Sequence, residues 1–280
     1  MNLNLLGIDF EEWYHPQLVK PFVNHMKHEP KIIKGIERII ELLQKNETTA
    51  TFFMVGELLE HKPDILDLIF ENGHEIAFHT MTHSNLNELT KEKFLEELDI
   101  FSEITNGKSK GFRAPTFSLN KNTAWIIDAL IEKKYVYDSS IVPVKTQLYG
   151  FSNCESKPFR ISKESLTQND PNGKLLEFPL MIGKFFGKTM PVSGGFYLRF
   201  LPLKTSFSAI SNYEKENIPG TIYVHSWELT PEYMPKIQLP IKEKFITLHN
   251  IEKTYSRLDN ILNKFEFTSF ENYLKKNNLD

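Results

Sequence analysis

Residues 50–83 read ATFFMVGELLEHKPDILDLIFENGHEIAFHTMTH, and the order of their parts decides the fold class. Ala50–Val55 is short, apolar and bulky, as a buried strand is, and Gly56 ends it. Residues 63–72 open with Pro63 and stop just before Gly73, the punctuation expected of a helix. Glu75–Phe78 is a second short strand, running into His79. Strand, helix and strand in so short a stretch make a βαβ unit, and such units pair their strands in parallel.

Outward from that unit the alternation continues. Leu3–Asp9 reads as a buried strand ending in acids. Lys31–Lys45 carries Ile32, Ile33, Ile36, Ile39, Ile40 and Leu43 as a helical stripe. Thr90–Ile104 is an amphipathic helix capped at Thr90, Gly111–Arg113 a strand, Asn122–Lys133 a helix and Val136–Tyr137 a strand. A βαβαβαβαβ order implies an α/β fold, either a doubly wound sheet or a (β/α) barrel, with chemistry at the carboxyl ends of the strands. Residues 143–220 read as long loops with one strand, Leu175–Pro179, inserted in the same domain. Thr221–His225 is a strand, Leu248–Asn263 a helix, and Phe267 starts a last strand. No linker divides the chain, so residues 1–280 are expected to form a single domain, with 230–280 as a C-terminal extension.

Composition narrows the function classes. The chain has 280 residues, 40% hydrophobic and 25% charged, too apolar for a disordered protein. Its longest apolar runs fall far short of the ~18–20 residues of a membrane span. With 33 basic and 36 acidic residues, the net charge of −3 offers no basic stripe for nucleic acid but suits an uncharged partner such as a sugar. Cys154 is the single cysteine, which excludes an internal disulfide and a thiolate metal cluster and fits a reducing compartment. The start, Met1-Asn-Leu-Asn-Leu, has no basic leader region and no cleavage site, as expected of a cytoplasmic chain, although a mature form after leader removal would read alike.

Five polar strand ends converge if the sheet curls into a barrel: Asp9-Phe-Glu11-Glu12-Trp13, His79-Thr-Met-Thr-His83, Arg113-Ala-Pro115, Asp138-Ser-Ser140 and His225-Ser-Trp227-Glu228. Each alone has a plainer reading: a solvated turn for the acids, a salt-bridging arginine, a core histidine for His225. His79 and His83 with one carboxylate would leave open positions on a divalent ion, the plan of a catalytic site. Asp9, Glu11 and Glu12 crowd negative charge, which a cation relieves, leaving one acid as ligand and one as general base. Arg113 could orient that base, and His225 could act as general acid. His15, His25, His28, His61, His74 and His249 read as surface or structural.

The motifs TATFFMV at 49–55, GHEIAFHTMTH at 73–83 and GFRAP at 111–115 resemble, in order and spacing, those of the polysaccharide deacetylase family (NodB homology, carbohydrate esterase 4). YDSSIVP at 137–143, GGFYLRFLP at 194–202 and VHSWEL at 224–229 resemble its exopolysaccharide-cluster-associated subfamily, which has an extra C-terminal region. The resemblance runs over nearly the whole chain. It implies a distorted (β/α)7-type barrel of parallel strands, a divalent metal with zinc favoured, and hydrolysis of N-acetyl groups from a hexosamine-containing glycan. His79 and His83 match the metal histidines, Arg113 the arginine that steers the base, and His225 the catalytic histidine. The first motif departs from the two adjacent aspartates of most members. One register makes Glu11 the base and Glu12 the ligand; the other, favoured here because a shorter acid sits closer to the attacking water, makes Asp9 the base and Glu11 the ligand. Trp13 and Trp227 are candidates to stack on sugar rings, as are Phe117 and Tyr197, with core or rim packing as the alternative for each. A non-catalytic glycan-binding protein on the same barrel, or a deacylase of small amides or O-acetyl esters, are the rival readings.

Overall fold

A computed structural model describes residues 3–23 and 29–279. Met1, Asn2, His25, His28 and Asp280 lie outside the described residues, and with them the readings that touched the first two residues and those two histidines. The strands are β1 (Asn4–Phe10), β2 (Thr51–Met54), β3 (Glu75–Phe78), β4 (Gly111–Phe112), β5 (Tyr137–Asp138), β6 (Phe159–Ile161), β7 (Leu175–Glu177), β8 (Ile182–Phe185), β9 (Lys188–Pro191), β10 (Thr221–His225) and β11 (Phe267–Thr268). The main sheet runs β10-β1-β2-β3-β4-β5-β7-β6, with β11 also on β1.

Every residue of β1, β2 and β3 is buried, because helices cover the outside of the sheet and the curl of the sheet encloses the inside. Such strands carry near-continuous apolar runs rather than alternation, as LLGI and TFFM do. The helix Ile36–Lys45 lays Ile36, Ile39, Ile40, Leu42 and Leu43 on the core. The helix Lys91–Ile104 starts where Thr90 Oγ1 accepts from the backbone N–H of Lys93 at 3.3 Å.

The pairings from β10 through β5 to β7 are parallel, while β6 runs antiparallel on β7. Beyond β7 the curl returns toward β10 through irregular segments. The N–H of Met181 donates to the carbonyl of Thr221 at 2.9 Å, and the N–H of Tyr223 donates to that of Ser193 at 2.9 Å. Gly194 bridges Tyr223 in parallel, and a Cβ there would stand 2.1 Å from the Tyr223 carbonyl oxygen, so only glycine permits the approach. The result is a distorted (β/α) barrel, as the motifs imply.

Three local expectations change. Residues 143–220 hold more regular structure than one strand: the β8–β9 hairpin and the helices Gly195–Phe200 and Leu203–Lys215. The stretch 248–263 is not one helix. A helix ends at Leu248, Asn250 takes a left-handed φ of 51°, and a second helix spans Thr254–Leu262. Asparagine tolerates that conformation, which a periodicity reading passes over. The short helices Gly56–His61 and Phe270–Asn277 were not anticipated.

Candidate active site

Parallel register sets the site. Asp9, the penultimate residue of β1, lies opposite His225, the last residue of β10. The ladder continues one residue past β3 and β4: the N–H of His79 donates to the Met54 carbonyl and that of Arg113 to the Phe78 carbonyl, both at 3.0 Å. The same end of the sheet therefore presents Asp9, Glu11, His79, Arg113 and His225.

Glu11, His79 and His83 each direct a ligand-type atom to one point, all within 4.8 Å of one another, and all three residues are buried. His79 Nδ1 lies 2.7 Å from the Arg113 carbonyl oxygen, so it carries the proton and leaves Nε2 with a free lone pair. Burial lowers the His79 pKa to about 4, keeping the ring neutral. His83 reaches the point from a left-handed backbone, φ 54°, and stacks on His15 with ring centroids 5.7 Å apart. His15 is in turn held between the N–H of Glu12, which donates to Nδ1, and the Glu57 carboxylate, 2.9 Å from Nε2.

Glu11 Oε1 accepts from Trp227 Nε1 at 2.9 Å. Its other oxygen is buried without a hydrogen-bond donor, though His83 Nε2 stands 2.5 Å away. Burial alone would raise the Glu11 pKa; the neighbouring His83, His225 and His79 overcome it and hold the carboxyl well below its usual range. One buried carboxylate and two imidazoles with clustered ligand-type atoms are the donor set of a divalent cation with open positions, so these residues fit the metal that the motifs imply.

Asp9 Oδ1 accepts from Arg113 Nη1 at 2.6 Å. The arginine is itself immobilised: Nε donates to the Ser139 carbonyl at 3.0 Å, Nη2 donates to Ser139 Oγ at 2.9 Å, and the guanidinium lies 3.8 Å over the Phe53 ring. Gly7 makes room, since a Cβ there would meet Arg113 Nη1 at 2.6 Å. His225 Nδ1 stands 3.0 Å from Glu228 Oε2, and its Nε2 is 3.9 Å from Glu11 Oε1. Burial disfavours the imidazolium, but the Glu228 carboxylate outweighs it, with Glu11 and Asp9 adding, and the His225 pKa rises to about 9. Glu228 in turn, despite burial, is held down to about 2 by His225 and Arg199.

Asp9, Glu11, His79, His83, His225 and Trp227 all line one groove. Arg113 is fully buried behind Asp9. Two expected residues stand elsewhere. Glu12 turns away, its Oε1 accepting from the backbone N–H groups of Lys31 and Ile32 at 2.5 Å, so it is not with the two histidines. Trp13 is 2% exposed in the core, edge-on to Tyr14, and does not line the groove. Trp227 and Phe117 do line it; Tyr197 does not. Glu228 and Arg199 stand in motifs quoted from the sequence, but neither was given a role there. The first left a trace in its three-residue spacing from His225; the second left none, because its partners come together only by packing.

Comparison with known proteins places this geometry. Residues 33–131 match the family described as Polysaccharide deacetylase. Over these residues the chain is similar to the polysaccharide deacetylases. Residues 139–275 match a domain of unknown function, DUF3473, so His225, Glu228 and Arg199 come from outside the deacetylase match. Among curated relatives, the uncharacterized protein YlxY of Bacillus subtilis is 31% identical over 103 residues, 35% of this chain and 31% of that protein. The peptidoglycan deacetylase of Helicobacter pylori is 25% identical over 112 residues, 39% of this chain and 37% of that protein. The chain thus spans less than two fifths of the length of either. A crystal structure from Mycobacterium smegmatis, assigned to the polysaccharide deacetylases, superposes with a TM-score of 0.61 at 14% identity, covering 99% of this chain and 91% of that one, which supports the barrel fold. No helix among the described residues is long and apolar enough to cross a membrane.

Proposed function

We propose that the protein is a metal-dependent hydrolase that removes N-acetyl groups from hexosamine residues of a polysaccharide or oligosaccharide, releasing acetate. The observation that carries this reading is the grouping, in one groove, of Glu11, His79 and His83 with Asp9, which Arg113 backs, and with the His225–Glu228 pair. The deacetylase match over residues 33–131 and the name of the Helicobacter relative support the reaction class. The chain acts as one unit in this reading, since both matched regions face the same groove.

An acetamide carbonyl is a poor electrophile, and its amide anion a poor leaving group. A divalent cation, zinc for choice, held by Glu11, His79 and His83 would polarise the carbonyl and make water more acidic. Asp9 is the general base that takes the proton of the attacking water, and Arg113 fixes its orientation. His225 gives a proton to the departing nitrogen, an effect of roughly 10²–10⁴ in rate for a placed general acid. A pKa near 9 keeps that proton on His225 at neutral pH. Glu228 holds the ring through Nδ1, which aims Nε2 toward the side of the groove where Glu11 lies.

Acetate released from N-acetylglucosamine oligomers tests the reading. The wild-type protein is expected to release it, and His225→Ala to lose at least about a hundredfold in kcat. Release from O-acetyl esters but not from amides would favour the esterase alternative. Binding of the oligomer without any release would favour a non-catalytic glycan-binding protein.

A further inference from the structure

Outside the groove, one element carries a residue that the fold does not explain. Strands β8 and β9 form a two-stranded sheet of their own, apart from the main sheet. Phe185 pairs with Lys188, so Phe186 and Gly187 make a two-residue turn, with φ of 47° and 76°. Left-handed backbone at both turn positions matches the twist of the flanking strands, and Asn or Asp followed by Gly adopts it with least strain. Gly187 meets that demand. Phe186 does not, since a bulky side chain at positive φ is strained. Packing gives little in return: Phe186 is 91% exposed, and its ring meets that of Phe185, with centroids 4.5 Å apart at 61°. None of residues 182–191 lines the groove.

A strained residue with its ring in water, at the tip of a hairpin, points to a contact made outside the chain. The neighbours of the ring say of what kind. Residues 182–191, IGKFFGKTMP, hold two lysines and no acid. Lys184 and Lys188 are both exposed, and among the described residues neither pairs with a carboxylate. Lys188 stands in the strand pair directly behind the turn, and Lys184 in the next pair, opposite Thr189. Along the hairpin the ring is therefore outermost and the ammonium groups lie behind it. The space around the tip is open: a Cβ on Gly187 would meet nothing within 4 Å.

An anionic bilayer offers the complementary layers. Its phosphates attract lysines, whose flexible stems reach them, and aromatic rings settle at the boundary just beneath. A protein partner fits less well. An interface of ordinary size takes about 20–30 residues from each side, whereas five residues of the hairpin are exposed, Lys184 and those from Phe186 to Thr189. We propose that the β8–β9 hairpin attaches the protein to an anionic lipid surface, with the Phe186 ring entering the headgroup layer and Lys184 and Lys188 meeting the lipid phosphates behind it. One ring and two cations make the attachment weak and reversible, since stable anchoring takes more. The inference is independent of the reaction proposed for the groove.

Co-sedimentation of the whole chain with vesicles tests it, using phosphatidylcholine alone and an equal mixture of phosphatidylcholine and phosphatidylglycerol. The wild type is expected to bind the mixed vesicles at least about tenfold tighter than the neutral ones, and less tightly as salt is raised. The Lys184→Ala, Lys188→Ala double variant is expected to lose at least about tenfold on the mixed vesicles, each lysine contributing about fivefold. Phe186→Asn puts in the residue that the turn favours. It is expected to melt no earlier than the wild type and to bind the mixed vesicles at least about fivefold more weakly. Equal binding of the wild type to both vesicles, or binding to neither, would overturn the attachment. So would a Phe186→Asn variant that binds as the wild type does, or one that melts earlier, since the ring would then serve the fold. A wild type that runs as a dimer, with Phe186→Asn running as a monomer of unaltered vesicle binding, would make the tip a contact between copies and overturn the proposal as well.

Discussion

At the scale of single residues, two charge pairs organise the groove, one buried and one partly exposed at His225, and each predicts a distinct phenotype. Arg113 and Asp9 are buried partners, so Asp9→Asn leaves a guanidinium without its counter-charge. Removing one member of a buried pair costs about 3–5 kcal/mol. The variant should melt earlier by an amount that calorimetry can read and should lose deacetylation, while keeping its metal content, because Asp9 is not among the three grouped ligands. Glu228 acts through charge on His225. In the proposed reaction the histidine works as an acid only while protonated, so activity is expected to fall as pH rises through its pKa of about 9. Glu228→Gln removes the largest influence that raises that pKa, so the alkaline limb of the kcat profile should move to lower pH. An alkaline limb left in place would show that His225 is not the acid.

At the scale of elements, β3 shows how the barrel carries a cost at the end away from the site. Glu75 begins that strand and accepts from the hydroxyls of Thr51 on β2 and Tyr137 on β5, the latter at 2.7 Å, and from the N–H of Glu271 at 2.9 Å. Burial outweighs these donors and pushes its pKa up to about 7. A carboxyl with a raised folded-state pKa binds more protons folded than unfolded, so its contribution is fully present below the unfolded value, near 4.5, and is lost as pH rises through about 7. The shift corresponds to roughly 3 kcal/mol. Denaturant unfolding across pH 4–8 should show stability falling over that window in the wild type and a flatter profile in Glu75→Gln. Elements also mark where sequence reading works. β3 and β10 have the predicted bounds because short apolar runs end at polar residues there. The break at Asn250 and the helix Leu203–Lys215 were missed, the first because one left-handed residue interrupts an otherwise periodic run, the second because Gly, Pro and Ser nearby suggested loops.

At the scale of the whole molecule, the site was legible to the extent that chemistry sits at strand ends. The residues at 9–11, 79–83, 113 and 225 could be listed from sequence, because a parallel barrel sends all its carboxyl ends to one rim. Among the three acids, side-chain length favoured Asp9 as base and Glu11 as ligand and kept Glu12 as the alternative, since Glu11 and Glu12 are adjacent and differ in which way the chain turns after β1. Packing turns Glu12 away from the two histidines, by giving it the N–H groups of residues 31 and 32. The aromatic residues were ambiguous for the same reason: Trp13 and Trp227 both follow strand ends, yet one fills the core and the other donates to Glu11. Arg199 joins segments about fifty residues apart and has no local signature. The central claim is that Glu11, His79 and His83 hold a divalent ion that the deacetylation requires. The direct measurement is acetate release from an N-acetylglucosamine oligomer before chelation, after chelation, and after zinc is restored. The account predicts release, its loss, and its recovery. Release that survives complete removal of divalent ions would contradict it.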